Sequence, residues 1–161
     1  MKALFAAVAL FAAAPLAAQP TPEQEEVIAA ADAFFAALRG DDKTALAPLM
    51  QADAIISIND KTGSGPPVLS CTTAAKFLEN WAKAPPGIAE YMKYVNVPVT
   101  DGKAQVAGPY RFLVNGKTAH CGINMLGFVK TENGWKPGDT SFTMVPPSKL
   151  DALDAPEALA P

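Results

Sequence analysis

Apolar residues recur at helical spacing at Val27, Ile28, Ala31, Phe34, Phe35 and Leu38, which predicts a helix with one buried stripe. The segment opens on Thr21-Pro22-Glu23-Gln24. Thr21 can cap, Pro22 suits the first turn, and Gln24 can close a capping box. Gly40 ends the helix. A second, short helix is predicted from Asp41 or Asp42, carrying Leu46, Leu49 and Met50. Pro48 lacks a backbone donor and should keep it short or distorted. Residues 54–59 read as a strand, and residues 62–67 as a loop, given Gly63, Gly65, Pro66 and Pro67. Thr72 or Thr73 can cap a third helix with Phe77, Leu78 and Trp81 on its inner face, closed by Pro85-Pro86-Gly87.

The remainder alternates as strands. Asp101-Gly102 and Asn115-Gly116 are strong two-residue hairpin signals, and residues 131–134 form a longer turn. Four antiparallel strands follow, at about 89–100, 103–114, 117–130 and 135–145. Counting out from each turn fixes the register, and register assigns faces. Val99 pairs with Ala104, Val97 with Val106, Phe112 with Ala119, and Tyr110 with Cys121. The last turn pairs Ile123 with Phe142 and Cys121 with Met144. One face then carries Val95, Val97, Val99, Val106, Tyr110, Phe112, Cys121, Ile123, Met125, Phe142 and Met144, and should receive the helices. The opposite face carries Arg111, His120, Asn124, Asp139, Ser141 and Thr143.

The predicted architecture is α+β: a cone-shaped roll of three N-terminal helices packed on a curved, mainly antiparallel sheet. Ahead of it, Met1-Lys2, an apolar run over residues 3–14, Pro15 and small residues at 17–18 have the layout of a secretory signal peptide. The run is shorter than the roughly 20 residues a membrane span needs. The expected organisation is a signal peptide over 1–18, one domain over 19–145, and a tail over 146–161. That tail is rich in Ala, Pro and Asp, with little to bury, and is expected to be disordered. A periplasmic or secreted protein follows, with no membrane contact once the leader is removed. The chain has 161 residues and a net charge of -3, a balance that gives no electrostatic footprint for nucleic acid. With one histidine and two cysteines, sites built from several histidines or four cysteines are excluded. No nucleotide or redox motif appears, so no cofactor is expected.

Ala33-Phe34-Phe35-Ala36-Ala37-Leu38-Arg39-Gly40-Asp41 and Ala52-Asp53-Ala54-Ile55-Ile56 sit where two helices hand over to the sheet. Asn115-Gly116-Lys117-Thr118-Ala119-His120-Cys121-Gly122 and Asn133-Gly134-Trp135-Lys136 form two of its turns. In these segments and this element order the chain resembles the nuclear transport factor 2-like superfamily, over about residues 22–145. The resemblance is greatest to secreted bacterial members of lumazine-binding or SnoaL-like type. It implies a cavity between helices and sheet, and a homodimer through the outer sheet face. It does not select a function, because the fold hosts isomerases, dehydratases, cyclases and binders.

Several activities of that superfamily lack their residues. Ketosteroid isomerases carry a tyrosine in the first helix, where this chain has Phe34 and Phe35. Scytalone dehydratase has a two-histidine site, and only His120 is present. Asp32, at the edge of the first helix's stripe, is the cyclase-type candidate, although an exposed or hydrogen-bonded helix aspartate explains it better than catalysis does. His120 has an ordinary pKa near neutrality. It could act with Asp139, Arg111 and Asn124 as general acid or base, but the inferred register places it on the outer face. Trp81, Tyr91, Tyr110, Phe112 and Met125 are the candidate ligand-lining residues, with hydroxyl or indole groups as polar handles. Cys121 reads as a core residue, as a disulfide partner of Cys71, or as a nucleophile. The last fits least, since neighbouring strand residues point to opposite faces and His120 aims away. The leading expectation is a secreted protein that binds a small apolar or aromatic molecule in the cavity between helices and sheet, with no demonstrable catalysis. A cofactor-independent cyclase, isomerase or dehydratase, and a dimeric interaction module with a filled core, are the alternatives.

Overall fold

The computed structural model describes residues 19–157; the expected signal peptide lies outside them. Helix α1 spans Pro22–Arg39. Its capping box is formed, the Gln24 amide donating to Thr21 Oγ1 at 3.3 Å and the Thr21 amide to Gln24 Oε1 at 2.8 Å. A 3-10 helix follows at Lys43–Leu49, tightened around Pro48 as expected. Its first residue, Lys43, is buried and donates from Nζ to the carbonyls of Leu38 and Gly40. The lysine thus satisfies acceptors that the end of α1 leaves unpaired.

Strand β1 (Ile55–Asp60) leads into β2 (Val68–Thr73), a strand the sequence pattern did not suggest. It is an exposed edge whose only strand partner among the described residues is β1, so no inward apolar alternation marks it. Thr73 then caps α2 (Ala74–Trp81). The expected strand at 89–100 is broken into β3 (Ile88–Met92) and β4 (Val99–Thr100). Between them the amides of Val95 and Asn96 both donate to the Ala107 carbonyl. This irregularity turns Val95 outward, correcting its predicted place on the inner face. Strands β5 (Lys103–Val114), β6 (Lys117–Thr131) and β7 (Gly134–Met144) complete the sheet. Both two-residue turns have the left-handed backbone their residues permit, at Asp101-Gly102 and Asn115-Gly116.

The strand order is β2-β1-β7-β6-β5-β3, with β4 also on β5; among the described residues only β1 and β7 run parallel. Helices α1 and α2 pack on one face, so the architecture is the α+β roll the pattern predicts. The core joins Phe34, Phe35 and Leu38 of α1 to Val106, Leu126 and Phe128 of the sheet. No helix among the described residues is long and apolar enough to cross a membrane. Residues 146–157 differ from the expected tail. They include a 3-10 turn at Pro147–Lys149 and a short helix, α3 (Leu150–Leu153), lying against β6. Lys93 pairs with Asp154 at its end.

Two bulges correct the predicted faces. Beyond Phe112 the β5–β6 pairing slips by one, so that Phe112 faces His120 rather than Ala119, and Arg111 faces Cys121. The β6–β7 pairing slips between Leu126 and Phe128, so that Phe142 faces Asn124 rather than Ile123. Because side-chain direction has period two, each slip exchanges the faces beyond it. His120 and Asn124 therefore point inward, while Cys121, Ile123 and Met125 point to the other side of the sheet.

Candidate active site

A cavity of about 190 Å³ lies between the helices and the inner face of the sheet. Its apolar wall includes Phe34 and Leu38 of α1, Phe77 and Trp81 of α2, and Phe112 and Phe142 of the sheet. The Phe77 and Trp81 rings stack, with centroids 5.8 Å apart. Into this wall the sheet sets Glu90, His120, Asn124 and Thr140. Among the described residues, no lysine or arginine lines the cavity.

Glu90 occupies an inward position of β3, on the same face as Ile88 and Met92. It is 8% exposed, and its Oε1 accepts a hydrogen bond from Asn124 Nδ2 at 3.1 Å. Burial pushes its carboxyl up to about 7, against the opposing effects of the Asn124 hydrogen bond and the nearby Arg39 guanidinium. A carboxyl so placed exchanges a proton near neutral pH, where an ordinary glutamate is fully ionised. Arg39 itself donates to the Glu90 backbone carbonyl at 3.0 Å and fixes the strand at that residue. Asn124 is 5% exposed, and its Oδ1 has no partner among the described residues.

His120 lies flat on Phe112, with ring centroids 4.6 Å apart and planes 8° apart. Its Nδ1 is 3.1 Å from the hydroxyl of Tyr110, which also donates to the Thr143 carbonyl at 2.9 Å. Burial lowers its pKa, a tendency Asp60 partly offsets, and so favours the neutral ring. Glu90, Phe112 and His120 are cross-strand partners in one row over β3, β5 and β6. The two ionisable residues thus stand two strand spacings apart, about 10 Å between backbones, with the Phe112 ring as the floor between them.

Of the residues singled out from sequence, His120, Asn124, Trp81 and Phe112 reach the cavity. Tyr110 sits behind His120, fully buried. Tyr91 lies under the Arg39 guanidinium, outside the cavity. Met125 is on the outer face, 40% exposed, moved there by the first bulge. Asp32 is exposed and accepts from the Tyr94 hydroxyl at 2.8 Å. Asp139 is also outside, accepting from the Ile55 amide at 2.7 Å where β1 begins. The two aspartates therefore do not share a site with His120.

Cys71 and Cys121 are both free thiols, the first exposed and the second buried. They stand on β2 and β6, three strand spacings apart in the sheet. That is roughly 14 Å, well beyond the reach of a disulfide. Burial also pushes the Cys121 thiol up, which opposes the nucleophile reading.

The sequence reading passed over Glu90 altogether. The available signal was a carboxylate at an inward position of Ile88-Ala89-Glu90-Tyr91-Met92, but the break in the predicted strand hid which positions were inward.

No family model matches the sequence, and no curated protein matches it. Solved structures do. One is a protein of unknown function from Shewanella baltica, with a TM-score of 0.59 at 13% identity, covering 80% of this chain and 99% of that one. The fold is nuclear transport factor 2-like. A proposed dehydratase of this fold from Streptomyces avermitilis aligns with a TM-score of 0.59 at 22% identity, over 77% of this chain and 96% of that one. A domain with a cystatin-like fold from Nostoc punctiforme aligns with a TM-score of 0.59 at 15% identity, over 84% and 86%. A nuclear transport factor 2-like roll leaves its function to the residues in its cavity. Here that means one carboxyl, one imidazole, one amide and one hydroxyl against an aromatic wall.

Proposed function

We propose that this protein is a general acid–base catalyst acting on a neutral, largely apolar molecule of about one ring, in the compartment to which its leading segment directs it. The observation that carries this reading is that Glu90, with its proton affinity brought near neutrality, shares a small apolar cavity with a neutral histidine. A passive apolar pocket gains nothing from burying a carboxyl that makes no ion pair, because the charged form is penalised there.

The size of the substrate follows from the volume. Cavities near 150 Å³ accept a benzene-sized molecule, so about 190 Å³ suits a single ring rather than a steroid. Its neutrality follows from a lining without lysine or arginine. The chemistry that suits the pair is a proton shift or an elimination beside a carbonyl. In the elimination, His120 Nε2 takes a proton from carbon while protonated Glu90 gives its proton to the departing hydroxyl, which leaves as water. Return of the proton from His120 to Glu90 restores both groups. The Streptomyces avermitilis neighbour, a proposed dehydratase, is compatible with this reaction class.

The test is solvent exchange. Neutral single-ring β-hydroxy ketones and enones are incubated with the protein in deuterated water, and loss of the proton beside the carbonyl is followed by NMR. Catalysed exchange or water loss is expected. It should fall about 100-fold or more in Glu90→Gln and in His120→Ala, in line with usual acid–base contributions. Binding of these molecules with no exchange above buffer would identify a passive carrier and overturn the reading.

A further inference from the structure

The Tyr110 hydroxyl has one proton and two neighbours. The Thr143 carbonyl, at 2.9 Å, can only accept. The second neighbour, His120 Nδ1 at 3.1 Å, either accepts or donates according to tautomer. If Nδ1 were bare, the single phenolic proton would have to serve both contacts, and one of them would set two lone pairs against each other. If Nδ1 carries the proton, the histidine donates to Tyr110, Tyr110 donates to Thr143, and both contacts are satisfied. In a neutral imidazole that leaves Nε2 unprotonated. Among the described residues Nε2 has no protein partner.

From this we infer that Tyr110 is a positioning residue that holds His120 as its Nδ1–H tautomer, so that the ring presents a lone pair at Nε2 as the base of the site. The inference deepens the catalytic reading and rests on it for its purpose, though not for its test. The local fold is built around the contact. Gly122 pairs with Tyr110 across β5 and β6, and a Cβ there would lie 1.9 Å from the Thr143 oxygen. Only glycine lets β7 bring that carbonyl to the phenol. Phe112 beneath the imidazole fixes the ring plane, leaving the hydrogen bond to decide which nitrogen is bare. When His120 takes a proton at Nε2, Nδ1 continues to donate to Tyr110, so the relay needs no rearrangement. Asp60 is the carboxylate that faces the charge so formed.

The chain has a single histidine, so a long-range proton–nitrogen NMR correlation on the whole labelled protein at pH 8 reads one imidazole without ambiguity. The expected wild-type spectrum shows Nδ1 protonated and Nε2 bare. In Tyr110→Phe, at least half of the population should move to the Nε2–H form that free histidine favours. A wild type that is mainly Nε2–H overturns the inference, whatever its activity and whether or not the variant folds. A folded Tyr110→Phe with an unchanged spectrum also overturns it. Nδ1–H in the wild type together with undiminished exchange in Glu90→Gln would leave the lock standing and overturn the catalytic reading instead.

Discussion

His120 stacks on Phe112 because Ala119 is an extra residue in β6: the pairing that links Leu113 to Thr118 resumes one step later, with Phe112 against His120. Bulges of this kind re-aim side chains, and they are frequent beside functional sites. Here a one-residue slip carries the protein's single imidazole from the outer face into the cavity.

The buried carboxyl makes stability fall with pH. The folded-state pKa of Glu90, about 7, lies above the ordinary value of 4.5. Its contribution is therefore complete below about pH 4.5, declines as pH rises from there, and is gone above about pH 7. The full swing is at most about 3 kcal/mol. Glu90→Gln should match the wild type in urea unfolding at pH 4 to 5 and exceed it at pH 8, by up to about 3 kcal/mol. It should also lose exchange activity. Equal stabilities at pH 8 would contradict the burial argument.

His120 slopes the other way. Its pKa is lowered by burial, so its contribution is present above the unfolded value near 6.5 and lost as pH falls through the folded value. Titration of the imidazole carbon protons by NMR should place the midpoint below the ordinary histidine range. Asp60→Asn should lower it further by removing the facing carboxylate. A midpoint above 6.5 in the wild type would refute the assignment of His120 as a neutral base.

Gly122→Ala should be among the most destabilising single-methyl changes in the chain, by about 3 kcal/mol or more, because the close neighbour is backbone and cannot rotate away. Gly63→Ala is the control. A Cβ there meets nothing within 4 Å, and the change should stay within about 0.5 kcal/mol. Thermal unfolding of both variants separates a packing requirement from a general loss of glycine.

The corrected register can be checked at two adjacent residues. Leu126 is fully buried, while Met125 is 40% exposed. Leu126→Ala should lose about 2–5 kcal/mol, and Met125→Lys about 0.5 kcal/mol or less. The uninterrupted register read from the turns predicts the reverse. Denaturant midpoints of the two variants decide between them.

Local chemistry made much of the fold legible. The capping box at Thr21 and Gln24, the proline within the 3-10 helix, and the two Gly turns act over four residues or fewer, so the sequence determined those elements unaided. Together with the apolar period of α1 they also determined the α+β order. Sheet registers near each turn were right for the same reason: Val99 does pair with Ala104. What the chain by itself did not determine was how far each register persists. Ala119, and the extra residue of β7 opposite Gly127, carry no local signal. The bulges accompany long-range packing, including the close approach of Gly122 to the Thr143 carbonyl. That packing involves residues distant in sequence, and it decides that Glu90, Asn124 and His120 share one cavity while Met125, Asp32 and Asp139 stay outside. The sequence thus determined most of the elements and their order, missing β2, the break between β3 and β4 and the turns after β7, and the tertiary structure alone decided which polar groups meet, because side-chain direction alternates at every residue and a single slip reverses it.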